Sequence, residues 1–197
     1  MGVLSGGKRS SPTIDVSQVQ ALELDKIIVG AINGPAAGLG MVTALMCDIR
    51  FASPSAKFTT SFAKRGLVAE HGISWILPRV VGTSRAFDLL VSSRVVLAPE
   101  AKEMGLVNFI SKDDASCLQD AIRYARDACT LCSPVALAEI KRQVYDESPS
   151  FRADSQRAGQ LMVKSFSHPD FKEGVQSLVQ KRNPNFVGMS AGKIRDL

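Results

Sequence analysis

The chain has 197 residues, 45% of them hydrophobic and 22% charged, the make-up of an ordinary globular protein rather than a disordered or fibrous one. No apolar run approaches the roughly 20 residues of a membrane-spanning helix, and no signal-peptide core opens the chain, so an intracellular protein without a membrane partner is expected. The formal charge of +5 suits an anionic partner such as a phosphorylated cofactor, though an untargeted basic surface is as common. Without a basic stripe interleaved with aromatics, no nucleic-acid partner is expected.

Residues 1–20 are polar and rich in Gly and Ser, and are expected to be a flexible lead-in. Gly2 to Lys8 spells G-x-x-x-x-G-K, but Arg9 stands where a phosphate loop needs Ser or Thr and no strand precedes it. A short helix is expected over residues 19–25. The β-branched run Ile27, Ile28, Val29 then predicts a buried strand, and Asn33, Gly34 and Pro35 a turn. From Ala36 to Cys47 Thr43 is the sole polar residue, which predicts a helix buried on nearly all sides with Gly38 and Gly40 in its first turn. Each glycine there costs about 1 kcal/mol of helix propensity relative to Ala. A strand, a tight turn and a glycine-bearing helix start leave backbone N–H groups free for an anion, or for an oxygen that becomes one during reaction. Close helix–strand packing explains the glycines equally well.

Strands follow at Asp48–Ser53 and Lys57–Thr60, with Pro54 and Ser55 turning between them. Gly66–Ala69 reads as a loop, after which Glu70, His71 and Gly72 open a helix with Ile73, Ile76 and Leu77 on one face. Pro78 makes that helix short or kinked. Thr83 is expected to cap a helix over 84–91, followed by a strand at 95–97, a helix at 99–104 begun by Pro99, and a strand at 107–111. Beyond Asp113 the pattern is helical throughout, over about 114–130, 134–147, 151–166 and 170–181. The division is therefore a lead-in (1–20), an α/β core (21–112) and a helical region (113–197). Cys129 and Cys132 form a C-x-x-C, but His71 and His168 are the only histidines, too few to complete a zinc site. Lying in a helical pattern, the two thiols are expected to be buried, in a reducing compartment, and no metal is expected.

The runs KIIVGAINGPAAGLGMVTALMCDIRFAS, KFTTSFAKRGLVAEHGISWILPRVVG, APEAKEMGLVNFI and HPDFKEGVQSLVQKRNPNF resemble the crotonase superfamily of enoyl-CoA hydratases and isomerases, over about Lys26 to Phe186. The resemblance implies an α/β, crotonase-like (ClpP/crotonase) spiral of β-β-α units with a C-terminal helical oligomerisation region that forms homotrimers or hexamers. It implies an acyl-CoA substrate and no cofactor beyond the coenzyme A that substrate carries. It also implies two backbone N–H groups that polarise the thioester carbonyl, one of them on Leu39 in the catalytic turn with Gly38, and it implies that Ala37 and Gly40 on either side contact the substrate. Removing one such donor typically costs about 10²–10³ in rate. The family segment that supplies the other donor should end where this chain starts, so the first strands are expected to be missing.

Where hydratases of this family place two glutamates, this chain has Val42 and Phe62, so hydration by paired carboxylates is not expected. Glu70 instead resembles the catalytic acid of the ring-epoxide isomerase of phenylacetate breakdown and the nucleophilic Asp of 4-chlorobenzoyl-CoA dehalogenase. One carboxylate beside a polarised thioester can take a proton from one carbon and return it to another, moving a double bond without water. Phe62 and Trp75 are expected to line an apolar pocket around it, with Lys64 and Arg65 meeting coenzyme A phosphates. A carboxylate that only stabilises the helix dipole, worth about 0.3–1 kcal/mol, also explains Glu70; His71 orients it or is a surface residue. Lys181 falls in the V-x-K-R pattern that contacts the nucleotide end of coenzyme A in the family, with Leu178 in place of the aromatic partner. A solvated basic face with Lys172 and Arg182 is the alternative. The contrasting reading of the whole is a relative that binds acyl-CoA or forms oligomers without turnover.

Overall fold

The computed structural model describes residues 20–65, 67–145, 163–164 and 166–186, and the lead-in and most of the helix expected over 151–166 lie outside them. A short α1 (Gln20–Glu23) leads into β1 (Val29–Ile32). β1 begins later than the β-branched run because the Ile28 N–H donates to the Asp48 carboxylate at 2.7 Å instead of to a ladder partner. β2 (Pro35–Ala37) and α2 (Leu39–Leu45) follow.

This corrects the helix expected over Ala36–Cys47. Ala36 and Ala37 have the highest helix propensity of any residue type, yet they pair in parallel with Phe58 and Thr59 as strand. The helix proper is also buried on one face only, through Met41, Val42, Ala44 and Leu45, while Leu39, Gly40 and Thr43 face outward.

A second unit repeats the strand–strand–helix order: β3 (Ile49–Ala52), β4 (Lys57–Thr59), a 3₁₀ turn (Ala63–Arg65) and α3 (Ile73–Val81). α3 runs through Pro78, which removes one backbone donor, and ends where the Gly82 N–H donates to the Pro78 carbonyl at 3.0 Å. Gly82, at φ 82° and ψ 156°, rather than Thr83, is the cap of α4 (Thr83–Ser92). β5 (Val96–Leu97), α5 (Ala98–Glu103), β6 (Phe109–Ile110), α6 (Cys117–Leu131), α7 (Pro134–Tyr145) and α8 (Pro169–Gln180) complete the described elements.

The strands form two sheets of three. β1, β3 and β6 are all parallel, with Val29 opposite Ile49 and Phe51 opposite Phe109; β2 and β4 are parallel, and β4 and β5 antiparallel. The main core gathers α2, α3 and α4 against the second sheet, with Phe58, Met41, Leu45, Ile73, Leu77 and Leu89 fully buried. α6 lies on the first sheet, where Cys117 and Ala121 pack on Phe51. Phe51 stacks on Phe109 with ring centroids 4.7 Å apart, and Tyr124 closes the edge. A sequence division at residue 112 thus falls between a sheet and the helix that covers it.

α7 returns to the start of the described chain. The Lys141 ammonium, 1% exposed, donates to the Ala21 and Lys26 carbonyls at 2.8 and 2.9 Å and to the Asp48 carboxylate at 2.9 Å. Arg142 reinforces this with Asp25 at 2.6 Å. Among the described residues β1 and β2 each pair on one side only. A groove of about 430 Å³ is bounded by residues 30–36 of these strands and their turn and by Gly40, Thr43, Ala44 and Cys47.

Candidate functional site

The site grows from the junction of β2 and α2. Gly38 sits at φ 52° and ψ −118°, a backbone conformation that side-chain-bearing residues rarely adopt. Its N–H donates to the Thr59 carbonyl at 3.1 Å, and its carbonyl accepts from the Val42 N–H at 3.1 Å. The turn is therefore held on both sides. Leu39, the first helical residue, is left with an N–H that finds no acceptor among the described residues.

The facing wall comes from the end of β4. Thr60 is wholly buried; its hydroxyl donates to the Leu89 carbonyl at 2.8 Å and lies 3.2 Å from the Ser93 hydroxyl. The Thr59 hydroxyl donates to the Ser93 carbonyl at 3.0 Å, so this strand end is tied to the last turn of α4. Ser61 then takes φ 60°, which turns the chain and sends Phe62 back into the core at 6% exposure. Arg65 reaches back to donate to the Ser61 carbonyl at 3.0 Å. Between these walls lies a cleft of about 220 Å³, floored by Ala37 and Gly38 and walled by Thr60, Ser61 and Phe62. Arg65 and Leu67 stand at its rim. Such a space presents an apolar lining, one free peptide N–H beside it and a guanidinium at its edge.

Four of the residues singled out in the sequence thus meet: Ala37, Gly38, Phe62 and Arg65, with Leu39 adjoining. The others do not line this cleft. Gly40 borders the groove along β1 and β2 instead. Lys64 is exposed on the 3₁₀ turn, and Lys181 is exposed at the end of α8, where it takes φ 52°. Trp75 is not a wall of the cleft as expected: it packs against the main core, with the Arg79 guanidinium 3.7 Å over its ring. Glu70 lies on the turn before α3, where its carbonyl accepts the Ile73 N–H at 3.1 Å. Its carboxylate is 36% exposed and 3.8 Å from His71 Nε2, and it does not itself line the cleft. Val42, wholly buried, and Phe62, 6% exposed, are core residues. Thr60, Ser61 and Leu67 were not legible as site residues; the one signal was three successive hydroxyls, Thr59 to Ser61, at a strand end.

Cys129 and Cys132 are exposed, not buried; Cys129 lies well round the helix from the stripe of Cys117 and Ala121 that meets Phe51, and Cys132 stands where the backbone leaves α6. Cys117 is buried and Cys47 half-buried, and burial pushes both thiols above their ordinary pKa. Among the described residues no three His, Cys, Asp or Glu side chains gather as metal ligands, and no helix is long and apolar enough to cross a membrane.

A model of the enoyl-CoA hydratase/isomerase family matches residues 7–189. A probable enoyl-CoA hydratase of Bacillus subtilis is 33% identical over 168 residues, which cover 83% of this chain and 63% of the relative. The 1,2-epoxyphenylacetyl-CoA isomerase of Escherichia coli is also 33% identical over 168 residues, 84% of this chain and 63% of its own. This chain therefore spans less than two thirds of the length of either relative. The crystal structure of a probable enoyl-CoA hydratase/isomerase from Mycobacterium abscessus superposes with a TM-score of 0.85 at 29% identity, covering 91% of this chain and 72% of that one.

Proposed function

The chain belongs to the enoyl-CoA hydratase/isomerase family and has its crotonase fold, and on that premise we propose that it moves a double bond in an acyl-CoA thioester. The observation that carries the reading is the free Leu39 N–H beside the Gly38 turn, at the edge of an apolar cleft. The thioester oxygen accepts that N–H. Glu70, as carboxylate, takes a proton from the carbon next to the carbonyl or two bonds further along, and negative charge collects on the oxygen. The same group, now a carboxylic acid, returns the proton at the other carbon, so atoms and charge balance without water.

In this reading the loop ahead of Glu70 lies over the acyl chain. Leu67 and Val68, exposed by 46% and 77%, are apolar surface that such a chain would cover. Arg65 at the rim and the neighbouring Lys64 meet coenzyme A phosphates, and Lys181 meets the nucleotide end. Homotrimer or hexamer assembly is part of the proposal, supported by exposed Phe171, Val175 and Leu178 on one stripe of α8, as is an intracellular setting.

The test is isotope exchange at the carbon beside the thioester carbonyl, with enoyl-CoA esters of several chain lengths. Glu70→Gln should lower exchange and double-bond shift by at least about 10²-fold, the general acid–base contribution. Unchanged exchange in that variant removes Glu70 from the mechanism. A second reading has its own support, since Glu70 does not line the cleft: a binding-only relative. It gives saturable acyl-CoA binding with no exchange in either form.

A further inference from the structure

The C-x-x-C at the end of α6 plays no part in the proposed reaction. The Cys132 N–H donates to the Ala128 carbonyl at 3.0 Å, so residue 132 is still on the helical path. One turn then separates its Cα from that of Cys129, about 5 Å in a regular helix, inside the roughly 4.4–6.8 Å that a disulfide spans. At Cys132 the backbone leaves the helix (φ −119°, ψ 142°), which removes the helical restraint on where that side chain points. Both residues are exposed, unlike Cys47 and Cys117. No carboxylate or imidazole joins them among the described residues, so the two thiols are left to react with each other or with a reagent that takes both.

We propose that Cys129 and Cys132 form a modification site that closes reversibly to an internal disulfide by exchange with a low-molecular-weight disulfide of the glutathione class. One protein thiolate attacks a sulfur of the small disulfide; the small S–S bond breaks and one small thiol leaves. The second protein thiolate attacks the mixed disulfide at the protein sulfur, forming the Cys129–Cys132 bond and expelling the second small thiol. The protein dithiol loses two electrons, the small disulfide gains them, and the two protons leave on the released thiols. A bridge over so few residues at an exposed corner is of the labile, easily reduced kind. The site adjoins a structural joint: Ser133, the next residue, donates to Asp170 at the start of α8 and accepts the Ala136 N–H at the start of α7.

The full chain, reduced and then freed of reductant, is incubated with oxidised glutathione and read by intact mass and by alkylation mapping. The expected product lacks two hydrogens, carries no glutathione and has lost alkylation at Cys129 and Cys132 alone. Cys129→Ser and Cys132→Ser should each stop at a glutathione adduct. An aromatic trivalent arsenical, which needs two thiols, should be retained by the parent chain and lost by both variants. A parent chain that stops at the adduct, links two copies, or closes through Cys47 or Cys117 overturns the proposal, as does failure to retain the arsenical.

Discussion

The two ends of α2 use their polar groups in opposite ways. Beyond its C-terminus everything is turned inward: Asp48 accepts from Ile28 and Lys141, and the buried Arg50 guanidinium donates to the Leu106 carbonyl at 2.7 Å and to the Cys47 carbonyl. At its N-terminus the Leu39 N–H has no acceptor among the described residues and Leu39 itself is 44% exposed, beside a loop whose Leu67 and Val68 also face outward. A free donor beside exposed apolar side chains is what the proposed ligand site requires. The seven-residue helix is thus anchored at one end so that the other can stay open.

The sharpest way to break this contrast is Lys141→Met. It leaves the Asp48 charge and the two carbonyls without their donor, and removing one partner of a buried pair costs about 3–5 kcal/mol. Urea unfolding should show a loss of that size, and much of it should return when Asp48→Asn is added. An unchanged midpoint would mean that the inward-turned end is not the anchor.

The open end is tested by its glycines. Gly38→Ala forces a side chain into a conformation it disfavours, at a cost of about 1–3 kcal/mol. Gly40 lies in regular helix, with nothing within 4 Å of an added Cβ. Gly40→Ala should therefore raise stability by up to about 1 kcal/mol. Thermal melts that move in the same direction for both would show that the turn at Gly38 is not the constrained element.

The smallest effect belongs to Tyr145 on α7. Burial, then the negative charge of Asp48, push its phenol up to about 12, against an ordinary value of about 10. A raised folded pKa means that its contribution is complete below pH about 10 and is lost as pH rises toward about 12. Tyr145→Phe should flatten the alkaline fall in unfolding midpoint over that window. A limb of unchanged slope would place the alkaline sensitivity elsewhere.

Much of this was readable from local chemistry. Pro99 near the start of α5, the strands around Ile49–Ala52 and Lys57–Thr59, and the turn residues between them lie where the sequence points. The misreadings share a cause, which is that partners distant in sequence decide the outcome. Ala36 and Ala37 are strand because Phe58 and Thr59 lie alongside, which no window on the alanines reveals. Cys129 and Cys132 sit in a helix, but being in a helix does not say which face is covered: Cys117 and Ala121 meet Phe51, a partner distant in sequence, and the two later thiols do not. Gly38 was visible as a special glycine, whereas Thr60 was not, since its importance lies in Leu89 and Ser93, which close the ring behind it.

The Lys141 clasp also bears on how the molecule is made. Its acceptors at Ala21 and Lys26 leave the ribosome well over a hundred residues before Lys141 does. At about 5–20 residues per second, that leaves Asp48 without its cation for several seconds or more during translation. The clasp over Ala21, Lys26 and Asp48 cannot close until α7 is synthesised, so nascent chains that stop short of α7 should be the ones that chaperones hold and proteases find.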